Sequence, residues 1–571
     1  MRVRLQVGDE IVDKRSPAYT VSTLLSALGL DLDEGQQGSD SISIHYGKKE
    51  ASTAGSGALI NIAASENETP YPFDILSIKA LKRVTCLHKG NLSPLPGILY
   101  RYDKSEIPAI SFDSKKVNIE PDLISSAFAL LTRLEEVGSK STDKYGRFPH
   151  ADSLVYKLGL LRTPLVNVYA RVIRDAIWHL LSSMGKPMII KAPWPRGKKF
   201  AVCLTHDVDR LRLSSYKGLR SDVLEVKQAL FDRRAGKSLA IVYRLMSLWL
   251  RRHHPLWFSK QIISEEARNG FTSTFFVLVR KDHPMDADYS IRGRHTMALL
   301  REIIDHGSEV GLHGSFESPR NAALLRSEKA ELEHVIRRPV VGGRQHYLRC
   351  NWPATFRIHA EIGLQYDSTL GFGQQPGYRA SFGFPFQLYD PVRREPLNLL
   401  EIPLNVMDFT LYNYLGLSAS QAWPFVEDQL ETTKREGQLL VMLWHNIPVD
   451  LLDNGSYMQL YGLITNWIAR NNGWGCSAER LTDWWETRKN TSITQEEKKD
   501  GLRLIVSDCE FPISYLQLKL PEGQFLGSAV GDGFDVKVTP EGLNEFALEI
   551  ETVNGKSSSV DLLLNDNAKG R

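Results

Sequence analysis

Residues 200–209, FAVCLTHDVD, decide the fold. Five apolar residues run without a break into Thr205, His206, Asp207, Val208 and Asp209. An unbroken apolar run closed by polar side chains suits a strand buried on both faces. The same form returns in 271–279 (FTSTFFVLV), 308–315 (SEVGLHGS), 340–348 (VVGGRQHYL), 364–370 (LQYDSTL), 399–408 (LLEIPLNVMD) and 439–446 (LLVMLWHN). Helical patterns lie between them, at 295–307 (HTMALLREIIDHG), 321–338 (NAALLRSEKAELEHVIRR) and 421–437 (QAWPFVEDQLETTKREG). Strands alternating with helices predict a parallel sheet with right-handed crossovers. The expected fold is therefore α/β, a (β/α) barrel of about seven strands, closed or partly open, over residues 196–490. In such barrels function collects at the C-terminal strand ends, which is where this chain puts its polar residues.

Outward from that centre the pattern changes twice. Residues 1–195 mix strand-like runs (SISIHY, ALINIAA, GILYRY) with two amphipathic helical stretches, 121–137 and 163–185, and read as an α+β domain. Two prolines, a glycine and a basic run in KAPWPRGKKF mark the boundary. Residues 491–571 open on the charged QEEKKDG and continue as short alternating strands, which predicts a small β-sandwich.

Composition narrows the classes. Hydrophobic residues make up 42% and charged residues 24% of the 571, ordinary globular values that exclude a disordered, collagen-like or disulfide-rich chain. The net charge of +3 excludes a nucleic-acid binder by bulk charge. Five scattered cysteines, with no CxxC, argue against both a disulfide framework and a thiolate zinc site. The opening MRVRLQVGDEIVDKRS has no apolar stretch of signal-peptide length, and no run of about 20 apolar residues predicts a transmembrane helix. The expected location is the cytoplasm.

The strand ends carry the chemistry. Asp207 and Asp209 stand at i and i+2, on the same side of an extended segment, so that one can ligate a metal while the other stays free as a base. The plain alternative is a loop turn in which both bond backbone. His313 is followed four residues on by Glu317, and the two meet one ion if the segment turns helically. Arg344 suits a two-point grip on a carboxylate, or a surface ion pair. His445, after Trp444, suits a general acid or a packed, hydrogen-bonded histidine.

Taken in order, these segments resemble the polysaccharide deacetylases of carbohydrate esterase family four. That family carries a TFDD-type motif, an HxxxH motif, an R-x-P-Y motif, a motif containing Asp and a late L-x-H motif. Here they stand as LTHDVD, HGSFE, RQHY, YDSTLGF and LWH, spread over roughly residues 198–480. Residues 125–137 and 145–164 look like the accessory domain that precedes a bacterial subgroup. The resemblance implies Asp207 as base, Asp209 and His313 as metal ligands and Arg344 as the group orienting Asp207. It implies the Tyr347 N–H in an oxyanion hole, Asp367 as a positioning residue and His445 as the acid for the leaving group. The family's second metal histidine is Glu317 here, a harder ligand. His346, at the family's proline position, competes with it, as does His206. The implied ion is a divalent metal, zinc first, with manganese, magnesium or cobalt as alternatives. The implied reaction is hydrolysis of an acetyl group, on an amide or an ester, from an acetylated glycan or a lipid-linked glycan precursor.

Residues 210–260 hold 12 Lys/Arg against 3 Asp/Glu around LAIVYRLMSLWLRRHHPLWF. This reads as a lid helix with a solvated basic rim, or as a peripheral contact with the inner face of a membrane. The segment 371–386, GFGQQPGYRASFGFPF, reads as a sugar-stacking wall or as a loop packed by its own aromatics. Two competing functions stay open, an inactive barrel that binds or assembles glycans and a hydrolase of small amides.

Overall fold

The computed structural model describes residues 2–33, 42–47, 58–64, 86–88, 91–93, 109–211, 257–450, 456–507, 513–532, 535–551 and 557–566. The basic insertion, apart from its two ends, and the run GILYRY lie outside them. Among the described residues no helix is long and apolar enough to cross a membrane.

The N-terminal region forms one eight-stranded sheet. Its strands are β1 (Arg2–Val7), β2 (Asp31–Leu32), β3 (Ile42–Gly47), β4 (Ala58–Ala63), β5 (Cys86–His88), β6 (Asn91–Ser93), β7 (Ala109–Phe112) and β8 (Lys116–Ile119), in the order β2-β1-β3-β4-β8-β7-β5-β6. The helices Arg15–Ala27, Leu123–Leu131 and Leu165–Ser183 pack on one another and, through the last, on β4 and β8. The helix expected over 121–137 is shorter than its apolar pattern, because Arg133 takes a left-handed φ of 47° and ends it.

A short strand, β9 (Met188–Lys191), follows. The central sheet then comprises β10 (Phe200–Val208), β11 (Thr274–Leu278), β12 (Glu309–Gly314), β13 (Gly342–Gln345), β14 (Tyr366–Asp367), β15 (Phe386–Asp390), β16 (Glu395–Glu401), β17 (Val406–Met407), β18 (Leu439–Leu443) and β19 (Gly473–Cys476). Its order is β15-β16-β14-β13-β12-β11-β10-β18-β17, with β19 also on β10, and every pair except β15–β16 is parallel. All nine residues of β10 are buried, as a strand covered on both faces requires. The crossover helix Arg294–Asp305 buries Thr296, Leu299, Leu300 and Ile303, one stripe at helical spacing. The helix Ala419–Glu436 starts at a capping box of Ser418 and Gln421 and stops at Gly437 with φ 62°.

The closed version of the expected barrel is corrected here. Among the described residues no ladder joins the two ends of the sheet, which is an open half-barrel. The gap is bridged by one segment, 402–405. Ile402 N–H donates to Asp367 O at 2.8 Å on one side, and Asn405 N–H donates to Val441 O at 3.1 Å on the other.

The C-terminal strands β20 (Ser492–Lys498), β21 (Gly501–Ser507), β22 (Ile513–Lys519), β23 (Gln524–Gly531), β24 (Val536–Gly542), β25 (Glu545–Glu551) and β26 (Ser558–Asp566) make two four-stranded sheets. One sheet includes β9, paired antiparallel with β22, so a strand placed before the barrel in sequence completes the sandwich. Ile189 joins Leu504, Leu516, Leu548 and Val560 in a core between the sheets.

Buried cations tie the regions together. Arg488 donates to Ala192 O at 2.9 Å and Ser26 O at 2.7 Å. Arg379 donates to Glu136 at 2.9 Å, and Arg133 donates to the same carboxylate at 2.8 Å. Burial alone would raise the Glu136 pKa, yet the two guanidinium groups hold it below the usual range. The aromatic segment 371–386 is not a sugar wall. Phe382 and Phe386 are buried, and Phe384 stacks on Trp194 and Trp485 inside the protein.

Candidate active site

The C-terminal ends of β10, β12, β13 and β18 converge on one face of the central sheet. Alternation along β10 decides which side chains reach it. His206 points the other way, into a buried cluster where it meets Trp444 O at 2.8 Å and Glu266 Oε1 at 2.8 Å, so it is not a ligand. Asp207 faces the site and is almost wholly buried. Arg344 Nη1 donates to Asp207 Oδ1 at 3.0 Å and to Thr205 Oγ1 at 2.8 Å, while Nε and Nη2 hold the carbonyl and hydroxyl of Ser368, both at 2.9 Å. The two-point grip on the carboxylate is therefore a single bond. The rest of the guanidinium is spent on fixing its own direction.

Three ligand atoms gather beside Asp207. Asp209 Oδ1, one nitrogen of His313 and one of His346 all lie within 4.8 Å of one another. His313 Nε2 stands 3.4 Å from Asp209 Oδ1, His346 Nδ1 stands 3.5 Å from the same oxygen, and the two nitrogens are 3.0 Å apart. Ligands at about 2.1 Å from a tetrahedral ion are about 3.4 Å from each other, so the spacing suits one ion.

The protons point to the same conclusion. A carbonyl only accepts, so His313 Nδ1–H donates to Arg344 O at 2.9 Å and His346 Nε2–H donates to Met285 O at 2.7 Å. Both free lone pairs then face each other and Asp209 Oδ1, a buried atom with no hydrogen-bond partner. Such an arrangement calls for a cation, or for protons drawn onto the imidazoles. Burial would raise the Asp209 pKa, but His346, His313 and His445 hold it far below the ordinary range. Burial would lower the His313 pKa, but Asp207 and Asp209 raise it overall. Burial wins at His346 and lowers its pKa. The residues present fit a divalent ion held by two imidazoles and a carboxylate.

His445 closes the other side. Its Nε2 lies 3.6 Å from Asp209 Oδ2. Its Nδ1 donates to Asp408 Oδ1 at 2.6 Å, and its backbone N–H donates to Asp408 Oδ2 at 2.8 Å. Burial would lower the His445 pKa, but Asp408 chiefly, then Asp209 and Asp207, push it up to about 10. The sequence reading missed Asp408. Its signal was present, a carboxylate ending 399–408 in the same way that Asp207 and Asp209 end 200–209.

Two other expected residues, Glu317 and Asp367, sit differently. Glu317 is exposed, 4.0 Å from His283 and 3.9 Å from Arg349, and is not among the gathered ligand atoms. The helical four-residue spacing fails because His313 and Gly314 still belong to β12, and Glu317 caps a short turn at Ser318–Arg320. The third candidate ligand atom in the group is on His346 instead. Asp367 lies at the end of β14, with Oδ2 2.8 Å from His359 Nδ1, and accepts from both Thr369 donors rather than from Arg344. Tyr347 follows His346 in a left-handed conformation, φ 60° and ψ 12°, and Leu348 continues it with φ 56°. No described group accepts from the Tyr347 N–H.

Comparison with known proteins gives partial likenesses. Residues 14–182 match a family described as "Family of unknown function (DUF7033)". No curated protein matches the chain. Among solved structures, a putative polysaccharide deacetylase from Mycobacterium smegmatis is 21% identical with a TM-score of 0.36, over 54% of this chain and 98% of that one. A family 4 carbohydrate esterase from Streptomyces lividans, in complex with acetate, is 14% identical with a TM-score of 0.26, over 49% of this chain and 93% of that one. A CE4 family pseudoenzyme from Bacillus anthracis is 10% identical with a TM-score of 0.27, over 52% of this chain and 68% of that one.

Proposed function

We propose that this chain is a metal-dependent hydrolase that removes acetyl groups from an amino-sugar-containing glycan or glycan precursor. One observation carries the reading. The orphaned Asp209 Oδ1 converges with one ring nitrogen each of His313 and His346, with Asp207–Arg344 on one flank and His445–Asp408 on the other. Asp209, His313 and His346 would hold the ion, and two imidazoles with one carboxylate favour zinc or cobalt over magnesium. When bound, the ion supplies Lewis-acid polarisation of the acyl oxygen.

The chain's own residues do the rest. Arg344 pins Asp207 Oδ1, which leaves Oδ2 to accept a proton from the attacking water. The acyl carbon gains the hydroxyl and loses its bond to the sugar nitrogen. His445 Nε2 gives that nitrogen its proton, while Asp408 fixes the ring and favours the imidazolium. The free Tyr347 N–H is the proposed donor to the oxyanion, worth most where water is excluded.

The inactive-barrel reading drew its weight from Glu317 standing where a second histidine was expected. With His346 as the proposed third ligand, that place is filled without Glu317. The test is acetate release from N-acetylated amino-sugar oligomers by purified protein with added Zn²⁺ or Co²⁺. Release that disappears in Asp207→Ala supports the proposal. Inactivity across both metals and a panel of acetylated glycans overturns it.

A further inference from the structure

The strongest unused feature lies where the N-terminal region meets the candidate site. Arg147 is buried, although it belongs to residues 14–182 and not to the barrel. Its Nη1 donates to the Tyr347 carbonyl at 3.1 Å. Its Nε donates to Asp143 Oδ2 at 2.8 Å, and Nη2 reaches the same oxygen at 2.7 Å. Gln374, from the barrel, donates to Asp143 at 3.1 Å and meets His150 Nδ1 at 2.9 Å. The Tyr145 ring stacks on Tyr347 at 4.9 Å and 28°, with the Arg147 guanidinium 4.9 Å from the Tyr145 ring centroid.

The object of this grip is unusual. Tyr347 and Leu348 are consecutive residues with side chains in the left-handed region, a conformation that persists only where surroundings impose it. They directly follow His346, whose Nδ1 faces Asp209. We infer that Arg147 is a positioning residue that holds the Tyr347–Leu348 turn and, through it, aims His346 at the ion. The N-terminal region is then a working part of the site. The cobalt arm below rests on the metal centre proposed above, and the exchange arm does not.

Gly373 offers a second route to the same contact. A Cβ there would lie 2.3 Å from Arg147 Nη1, so Gly373→Ala displaces the guanidinium without touching its own charge. Full-length wild type, Arg147→Met, Arg147→Lys, Gly373→Ala and the Arg147→Met/Gly373→Ala double variant are compared, with near-UV circular dichroism confirming that each is folded. Hydrogen exchange of the 343–350 peptide should accelerate in Arg147→Met and in Gly373→Ala. Co²⁺ affinity by calorimetry should fall about 10- to 100-fold in both, the range for losing a residue that orients a ligand. The visible Co²⁺ absorption should change shape, the double variant should be no worse than Arg147→Met, and Lys should recover part of the loss. Folded variants with wild-type exchange and Co²⁺ affinity within twofold would overturn the inference. If wild type takes up no Co²⁺, the metal centre is what fails, and exchange alone decides the role of Arg147.

Discussion

Strand β12 carries a buried polar cluster at each end, and the two differ in one respect. At its start Glu309 is fully satisfied. It accepts from Thr274 Oγ1 at 2.6 Å, Tyr366 Oη at 2.6 Å and Glu479 N–H at 2.8 Å. Tyr366 reaches it past Gly342, where a Cβ would sit 1.8 Å from the ring. At its finish His313 faces His346 and Asp209 with lone pairs and an orphaned oxygen. Buried polar groups are normally paired, because an unpaired one loses its solvation without return. The first cluster is what a buried carboxyl needs for the fold. The second makes sense only with something added. Burial and charge alone do not separate a site from a core network, nor does an orphaned atom, since Glu401 Oε2 and Asn405 Nδ2 are orphaned too; at Asp209 the orphaned oxygen coincides with gathered ligand atoms.

The largest effect expected from breaking the C-terminal cluster is loss of catalysis. Asp207→Ala should cut acetate release by about 10²–10⁴-fold, the usual worth of a positioned proton acceptor, with metal content unchanged. His346→Ala should weaken Zn²⁺ or Co²⁺ binding at least about 100-fold, since losing a ligand costs more than losing its support. Calorimetry or metal analysis after dialysis checks it.

Breaking the other end should leave the metal in place and change how stability depends on pH. Burial is the dominant cause that pushes Glu309 up to about 7 from an ordinary value of 4.5, against the hydrogen bonds of Thr274 and Tyr366. The folded state therefore holds this proton to a higher pH than the unfolded chain does. The stability it contributes is complete below pH 4.5 and is lost as pH rises through 7. A shift of this size corresponds to about 3 kcal/mol between those limits. Urea unfolding at pH 5 and pH 8 should show wild type losing about 2–3 kcal/mol more than Glu309→Gln. Equal losses would assign the ionisation elsewhere.

Much of this was legible in the sequence, for physical reasons. The alternation of strands with helices predicted the parallel sheet, and strand-end polarity pointed to Asp207, Asp209, His313, Arg344, His346 and His445, because a buried strand can expose side chains only where it ends. Whether the sheet closes was not legible. Closure depends on whether 402–405 pairs as a strand or bridges by two hydrogen bonds, and its apolar residues suit both. The loss of β9 to the C-terminal sandwich was hidden for a similar reason, since a four-residue strand with three apolar side chains does not name its partner. Arg147 could not be found from pattern at all. It is a lone cation in a turn-rich segment, and its role exists only in the contact across two regions.

The smallest effects separate a carboxylate the sequence singled out, Glu317, from one it passed over, Asp408. Asp408 and Glu317 each stand near a catalytic histidine position, yet one is buried against His445 and the other is 64% exposed beside His283 and Arg349. Asp408→Asn keeps a hydrogen-bonding partner for the His445 ring but removes the charge that favours its protonated form. Activity should fall about 10-fold, by analogy with residues that support a functional histidine. Glu317→Ala removes only solvent-screened ion pairs, worth about 0–1 kcal/mol each at a surface. Acetate release and metal affinity in that variant should stay within about twofold of wild type. A Glu317→Ala loss as large as that of His346→Ala would move the third ligand back to the helical spacing first read from the sequence.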